Sequence, residues 1–329
     1  MHIKLTSEDL TRIRFEASPL WETVTSLRAL QQGTAIHRPW IECTRRALAA
    51  ADDPASQGHL RVLAALVPRS GFMADSLTPT PERQDTFHDG LTAVAAVPAS
   101  VWERDLTALL RRQEDTGARG VLEELAEDVD TAVDRAVGAL QWYWELAVRR
   151  WWPRLRSLLL EDIDWRLAQM ARGGIGDVFK TLHPSVVRTP SGLEVIRGCD
   201  GIDPPEPGAG LILVPNAFVW PETLVLNTAP FVPTLTYAPR GVGRLWESSG
   251  AAPGDPLARL LGSTRAQILA QLDVPMTTKQ LACALDLAPG TVNGHLKVMS
   301  EGGLAVPLRS GREVFYRRAG VGEALLAGA

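Results

Sequence analysis

Residues 277–318, TTKQLACALDLAPGTVNGHLKVMSEGGLAVPLRSGREVFYRR, constrain the fold more than any other stretch. Thr277, with Gln280 three residues on, reads as a capping box that satisfies the first free N–H groups of a helix. Leu281 and Leu285 share one face of that helix. Asp286 to Pro289 predicts a tight turn. Pro289 suits the first turn of a second helix, where its missing N–H is not needed. On that second helix Val292, Leu296 and Met299 form an inward stripe, which leaves Thr291, Asn293, His295 and Lys297 facing out. Gly302 and Gly303 end it. Leu304, Val306 and Leu308 then alternate as a strand, Ser310-Gly311 turns, and Val314 to Tyr316 returns.

Helix, turn, helix and hairpin in this order make a winged helix-turn-helix. Four pieces stand in sequence: an L-G-x-T-R-x-x-I-L run within Leu260 to Leu272, the L-A-x-x-L helix at Leu281, the T-V-x-x-H-L-K helix at Thr291, and the G-R-x-V-x-Y hairpin at Gly311. Together they resemble the C-terminal part of the ArsR/SmtB-type bacterial repressors. The resemblance implies a cytoplasmic, dimeric regulator of transcription whose partner is a double-stranded DNA operator. Two features depart from that pattern. Ala288 stands where the serine cap is usual, and Gly290 and Gly294 replace polar and basic residues. Metal-sensing relatives carry paired thiolates one residue apart, which suit thiophilic metals. Thr277 and Lys279 hold those positions here, and Cys283 stands alone a turn later, so neither a metal site nor a cofactor is expected.

The charge distribution agrees with a polyanion partner. Between Leu257 and Arg318 eight bases face four acids, a local +4, while the whole chain carries −4 and the rest is therefore −8. A basic module on an acidic body directs such a partner to the module. A helix fits the major groove, where base edges offer a distinct pattern of donors and acceptors. The residues expected to touch DNA are Lys279, Thr291, Asn293, His295 and Lys297, with Arg309 and Arg312 at the hairpin tip reaching backbone or minor groove.

The 329 residues leave room for a second, larger domain. The expected fold is α+β, mainly α: a helical domain over 1–245, a linker over 246–256, and the winged helix over 257–329. A short strand at 1–5, a helix opened by Ser7, and a break at Pro19 begin the large domain. Amphipathic segments follow at 39–50, 57–67, 82–95 and 99–113. The longest helical signal runs from Val121 to Ala171, with Pro153 kinking or restarting it. From His183 to Arg240 short β-branched runs bounded by Pro and Gly predict a small antiparallel sheet packed on the helices. The region to about residue 245, including VPNAFVWP, resembles an uncharacterised domain that precedes winged helices in some actinobacterial regulators.

Five tryptophans, Trp142, Trp144, Trp151, Trp152 and Trp165, fall in the long helical stretch. They read either as core or as the wall of a pocket for an apolar or planar effector. The acids at 161, 162 and 164 read as a solvated helix face, as do His88 and Asp89. Enzyme motifs are weak: GGIGD lacks the full dinucleotide pattern, and there is no P-loop. An enzyme domain fused to a winged helix, or a winged helix used for protein contacts, are the alternatives. No run of about 18 apolar residues suggests a membrane span, and Cys43, Cys199 and Cys283 suit reduced thiols.

Overall fold

The computed structural model describes residues 2–81, 86–196, 205, 208–246, 256–272, 275–285, 287–310 and 313–327. The chain divides into two compact units, Met1–Trp246 and Glu247–Ala329. Most of the expected linker, residues 247–255, lies outside the described residues. Trp246, also expected there, is buried in the core of the first unit.

The first unit opens with β1 (His2–Lys4), α1 (Ser7–Thr11) and β2 (Ile13–Phe15). Thr6 and Asp9 form the capping box of α1, so the cap falls one residue before Ser7. Its central helix is α2 (Pro19–Gln32), which Pro19 starts rather than breaks: Ser18 accepts from Trp21 N at 3.2 Å, and Pro19 occupies the first turn. Every residue from Pro19 to Leu30 is buried. A helix buried all round is usually apolar. Here Thr23, Thr25 and Ser26 return hydroxyl bonds to Pro19, Trp21 and Thr23 carbonyls, and Glu22 Oε1 accepts from Ala217 N at 2.7 Å.

Around it lie α3 (Arg38–Ala50), α4 (Pro54–Leu66), α5 (Phe87–Ala95), α6 (Ala99–Leu110), α7 (Thr116–Glu127) and α8 (Val129–Tyr143). Asp53, Thr86, Asp115 and Asp128 cap α4, α5, α7 and α8 through side-chain acceptors. The Asp128 cap splits the long helical stretch. A π turn at Trp144–Val148 interrupts it again before α9 (Trp152–Gly173), which restarts with Pro153 in its first turn. Next come α10 (Ile175–Leu182), β3 (Val186–Thr189), β4 (Gly192–Val195), β5 (Leu211–Pro215), β6 (Val225–Leu226) and β7 (Thr234–Tyr237).

The expected antiparallel sheet is present in the order β1-β4-β3. A second sheet, β2-β5-β7-β6, is mixed: β2 pairs parallel with β5, β5 parallel with β7, and β6 antiparallel with β7. The unbroken apolar run of β5, buried at all five positions, is the pattern of a strand covered on both faces. Ile3, Phe179, Leu193, Leu213 and Leu235 join both sheets in one core with α10.

The second unit contains α11 (Pro256–Leu261), α12 (Ser263–Gln271), β8 (Met276–Thr277), α13 (Thr278–Leu285), α14 (Pro289–Glu301), β9 (Ala305–Ser310), β10 (Glu313–Arg318) and α15 (Gly320–Ala327). Its sheet is antiparallel in the order β8-β10-β9. Ile268, Leu269, Leu281, Val292, Leu296 and Met299 form its core. The whole is α+β and mainly α.

Candidate nucleic-acid interface

The geometry of the second unit begins with a local cap. Thr277 N donates to Gln280 Oε1 at 2.8 Å, and Gln280 N donates to Thr277 Oγ1 at 3.2 Å, closing the box at the start of α13. Leu287 and Ala288 carry the chain to α14; Asp286 lies outside the described residues. Ala288 sits at the N-cap of α14 with no side-chain bond, and Pro289 follows in the first turn. Val292, Leu296 and Met299 are at most 1% exposed. Their burial fixes the rotation of the helix and turns Thr291, Asn293 and Lys297 outward, with His295 half-buried at the edge of that row. Lys279 on α13 is exposed as well.

The hairpin carries Arg309 on β9, exposed, opposite Val314 on β10. Arg312 lies outside the described residues. The strand phase differs from the alternation expected for Leu304, Val306 and Leu308. Gly303, at φ +69°, turns the chain out of α14, and Leu304 N bonds back to Met299 O at 2.8 Å. This delivers Ala305 to the core and leaves Val306 and Leu308 exposed. Arg318 is not a free surface base: its Nε donates to Leu269 O at 2.7 Å, on the last carbonyls of α12, where a cation opposes the negative helix end. Arg317, paired in register with Val306, is exposed on the outward face of β10. Arg317 is one of the eight bases between Leu257 and Arg318 and is not among the residues expected from sequence to touch DNA. The two-residue period from Tyr316, which packs on the core, was the signal that assigns it outward.

The five tryptophans of the first unit have different neighbours, and the π turn and the break before α9 lie between Trp142 and Trp152. Trp144 stacks on Phe87 at 4.4 Å and meets Trp152 edge-on at 6.0 Å. Trp151 meets Trp246 edge-on at 5.2 Å. Trp142 lies near His59. Trp165 lies under the guanidinium groups of Arg240, at 4.0 Å, and Arg166, at 5.0 Å. The first unit contains a cavity of about 760 Å³ whose wall includes Trp21 and none of these five.

Glu161, Asp164, His88 and Asp89 are exposed, as a solvated face requires, whereas Asp162 is buried, and so is Glu22 on α2. Asp162 is 2% exposed, not solvated: it accepts from Arg240 N at 2.9 Å and from Arg166 Nε at 3.4 Å. The periodicity of α9 left this position ambiguous, and only the chain returning at Arg240 covers it. Glu22 is fully buried, and burial pushes its carboxyl up to about 8 against the opposing pull of the Ala217 and Phe218 amides. His37 is neutral: burial lowers it to about 4, its Nδ1 accepts from Trp246 Nε1 at 2.8 Å, and its Nε2 therefore carries the proton toward Ala217 O at 3.1 Å. Among the described residues no group of three His, Cys, Asp or Glu side chains is arranged to hold a metal ion. No described helix is long and apolar enough to cross a membrane.

The sequence pattern of a helix-turn-helix domain family matches residues 260–306, from the end of α11 to the start of β9. Those residues are therefore a helix-turn-helix domain, the module by which many transcription regulators meet DNA. No curated protein and no solved structure matches the chain.

Proposed function

We propose that the chain is a DNA-binding regulator of transcription, a dimeric repressor of the ArsR-like winged-helix type. One observation supports this most: the exposed row Thr291, Asn293 and Lys297 on α14, held outward by the buried stripe Val292, Leu296 and Met299. A dimer sets two such helices in successive major grooves of a pseudo-palindrome, about 34–36 Å apart. Regulation is independent of metal, since Thr277 and Lys279 hold the positions of the sensing thiolates in the metal-responsive relatives. The first unit, far larger than DNA binding requires, supplies dimer contacts and effector sensing rather than catalysis.

The test is selection of DNA sites by the full chain, followed by fluorescence anisotropy on the selected duplex. Asn293→Ala is expected to relax preference at one base position, at a cost of about 1–3 kcal/mol. Equal weakening on every site removes the base-reading role of Asn293. No salt-sensitive DNA binding at all removes the proposal.

A further inference from the structure

The cavity of about 760 Å³ in the first unit is of a size that takes a small organic molecule. Trp21, Phe72, Met73 and Leu224 give its wall an apolar character, and Asp75 brings a carboxylate to it. Behind Asp75 stands Asp105, whose side chain is fully buried. One guanidinium serves both: Arg104 Nη2 lies 3.7 Å from Asp75 and 3.3 Å from Asp105. Among the described residues no other cation is within ion-pair distance of either acid. Asp105 also accepts from Ser76 N at 2.7 Å, which opposes the upward push that burial gives its carboxyl. Two carboxyl groups share one guanidinium, so only one of them is matched by a cation, and the other is balanced either by a proton or by a cation from outside. Burial and the charge of Asp105 push Asp75 up to about 7, so this wall holds a proton that an incoming cation would displace.

Arg28 directs its guanidinium at the carbonyls of Pro68, at 3.2 Å, and Gly71, at 2.9 Å. His183 bonds Ser185 and Pro221 O through its two ring nitrogens. Glu222 adds a further carboxylate.

We infer that this cavity binds a small organic cation, an amine carried on an apolar or aromatic body, with the ammonium on Asp75 and the body against Trp21 and Phe72. A carboxylate on an apolar wall attracts an ammonium by charge, and the Phe72 ring already takes a cation, the Arg112 guanidinium, at 5.4 Å from its centroid. The site is distinct from the helix-turn-helix, and its test needs no DNA.

Three probes of one shape separate the possibilities in calorimetric titrations of the full chain: 2-phenylethylammonium, 2-phenylethanol and phenylacetate. The ammonium is expected to bind about tenfold or more tightly than either of the others, the size of effect a charged hydrogen bond contributes. Asp75→Asn keeps the shape, relieves the repulsion with Asp105 and is expected to fold at least as stably, yet to erase that preference. Thr223→Trp, which fills the cavity from its wall, is expected to abolish binding of the ammonium. The inference is overturned if the alcohol or the carboxylate binds as tightly as the ammonium. It is equally overturned if none of the three binds at millimolar concentration, or if either variant retains the wild-type preference.

Discussion

Replacing Glu22 by glutamine should remove a specific pH dependence from the stability of the first unit. Glu22 is fully buried, with Oε1 on Ala217 N and Oε2 without a hydrogen-bond partner among the described residues. Its carboxyl ionises near 4.5 in the unfolded chain and near 8 in the folded one. Between those values the folded state holds a proton that the unfolded state has lost, so stability falls as pH rises. At about 1.4 kcal/mol per pH unit, the loss across the whole interval is roughly 5 kcal/mol. His37 acts with opposite sign, since its folded value near 4 lies below the ordinary 6.5, and stability tied to it falls as pH drops through that range. His37 contributes equally to wild type and to a Glu22 variant, so between pH 6.5 and 8 the difference between the two proteins comes from Glu22 and amounts to roughly 2 kcal/mol. Asp75 and Asp105, both raised, add slope of the same sign as Glu22, and they add it equally to wild type and variant. The glutamine amide keeps the acceptor for Ala217 N and has no ionisation. All ten tryptophans lie within residues 1–246, so intrinsic fluorescence of the full chain reports this unit alone. The Glu22→Gln variant should gain a further roughly 4–8 °C in unfolding midpoint on wild type between pH 6.5 and pH 8. Parallel midpoints for the two proteins from pH 6.5 to 8.5 would refute the reasoning.

Three further outcomes are expected. Lys297→Ala should weaken DNA binding on every sequence and lower the slope of log affinity against log salt by about one; an unchanged slope in anisotropy titrations removes its phosphate contact. Gly294→Ala should raise the midpoint of the second unit in far-ultraviolet dichroism by an amount equivalent to about 1 kcal/mol, because a Cβ there meets nothing within 4 Å; a loss of stability contradicts the account of α14. Arg166→Met should destabilise the first unit by about 3–5 kcal/mol in urea unfolding followed by fluorescence, since it strands the buried Asp162. Adding Asp162→Asn to that variant should recover much of the loss.

The winged helix was legible because its signals are local. The Thr277 and Gln280 box, Pro289 after the turn, the stripe of Val292, Leu296 and Met299, and the glycines at 302 and 303 each act within a few residues. The hairpin phase was less so. Alternation alone does not say which of two adjacent residues faces the core, and the turn at Gly303 chose Ala305. Of the five tryptophans, Trp144 is buried in the core and Trp142, Trp151 and Trp152 pack against it, and the periodicity of the sequence carries no mark of the π turn that follows Tyr143.

The sequence by itself determined where helices begin and end in the second unit, and which face of α14 is left for a partner, since caps and a 3.6-residue period are properties of neighbouring residues. Only the tertiary structure decided that α2 is buried on every side, that Asp162 lies inside, and that Asp75 stands on a cavity wall. For α2 and Asp162 a polar side chain is admitted to the interior by a partner far along the chain: Ala217 for Glu22, Asn216 for Thr25, Arg240 for Asp162. A buried polar group is tolerable only when it is hydrogen-bonded, and which distant segment supplies that bond is set by the fold, not by the residues beside it.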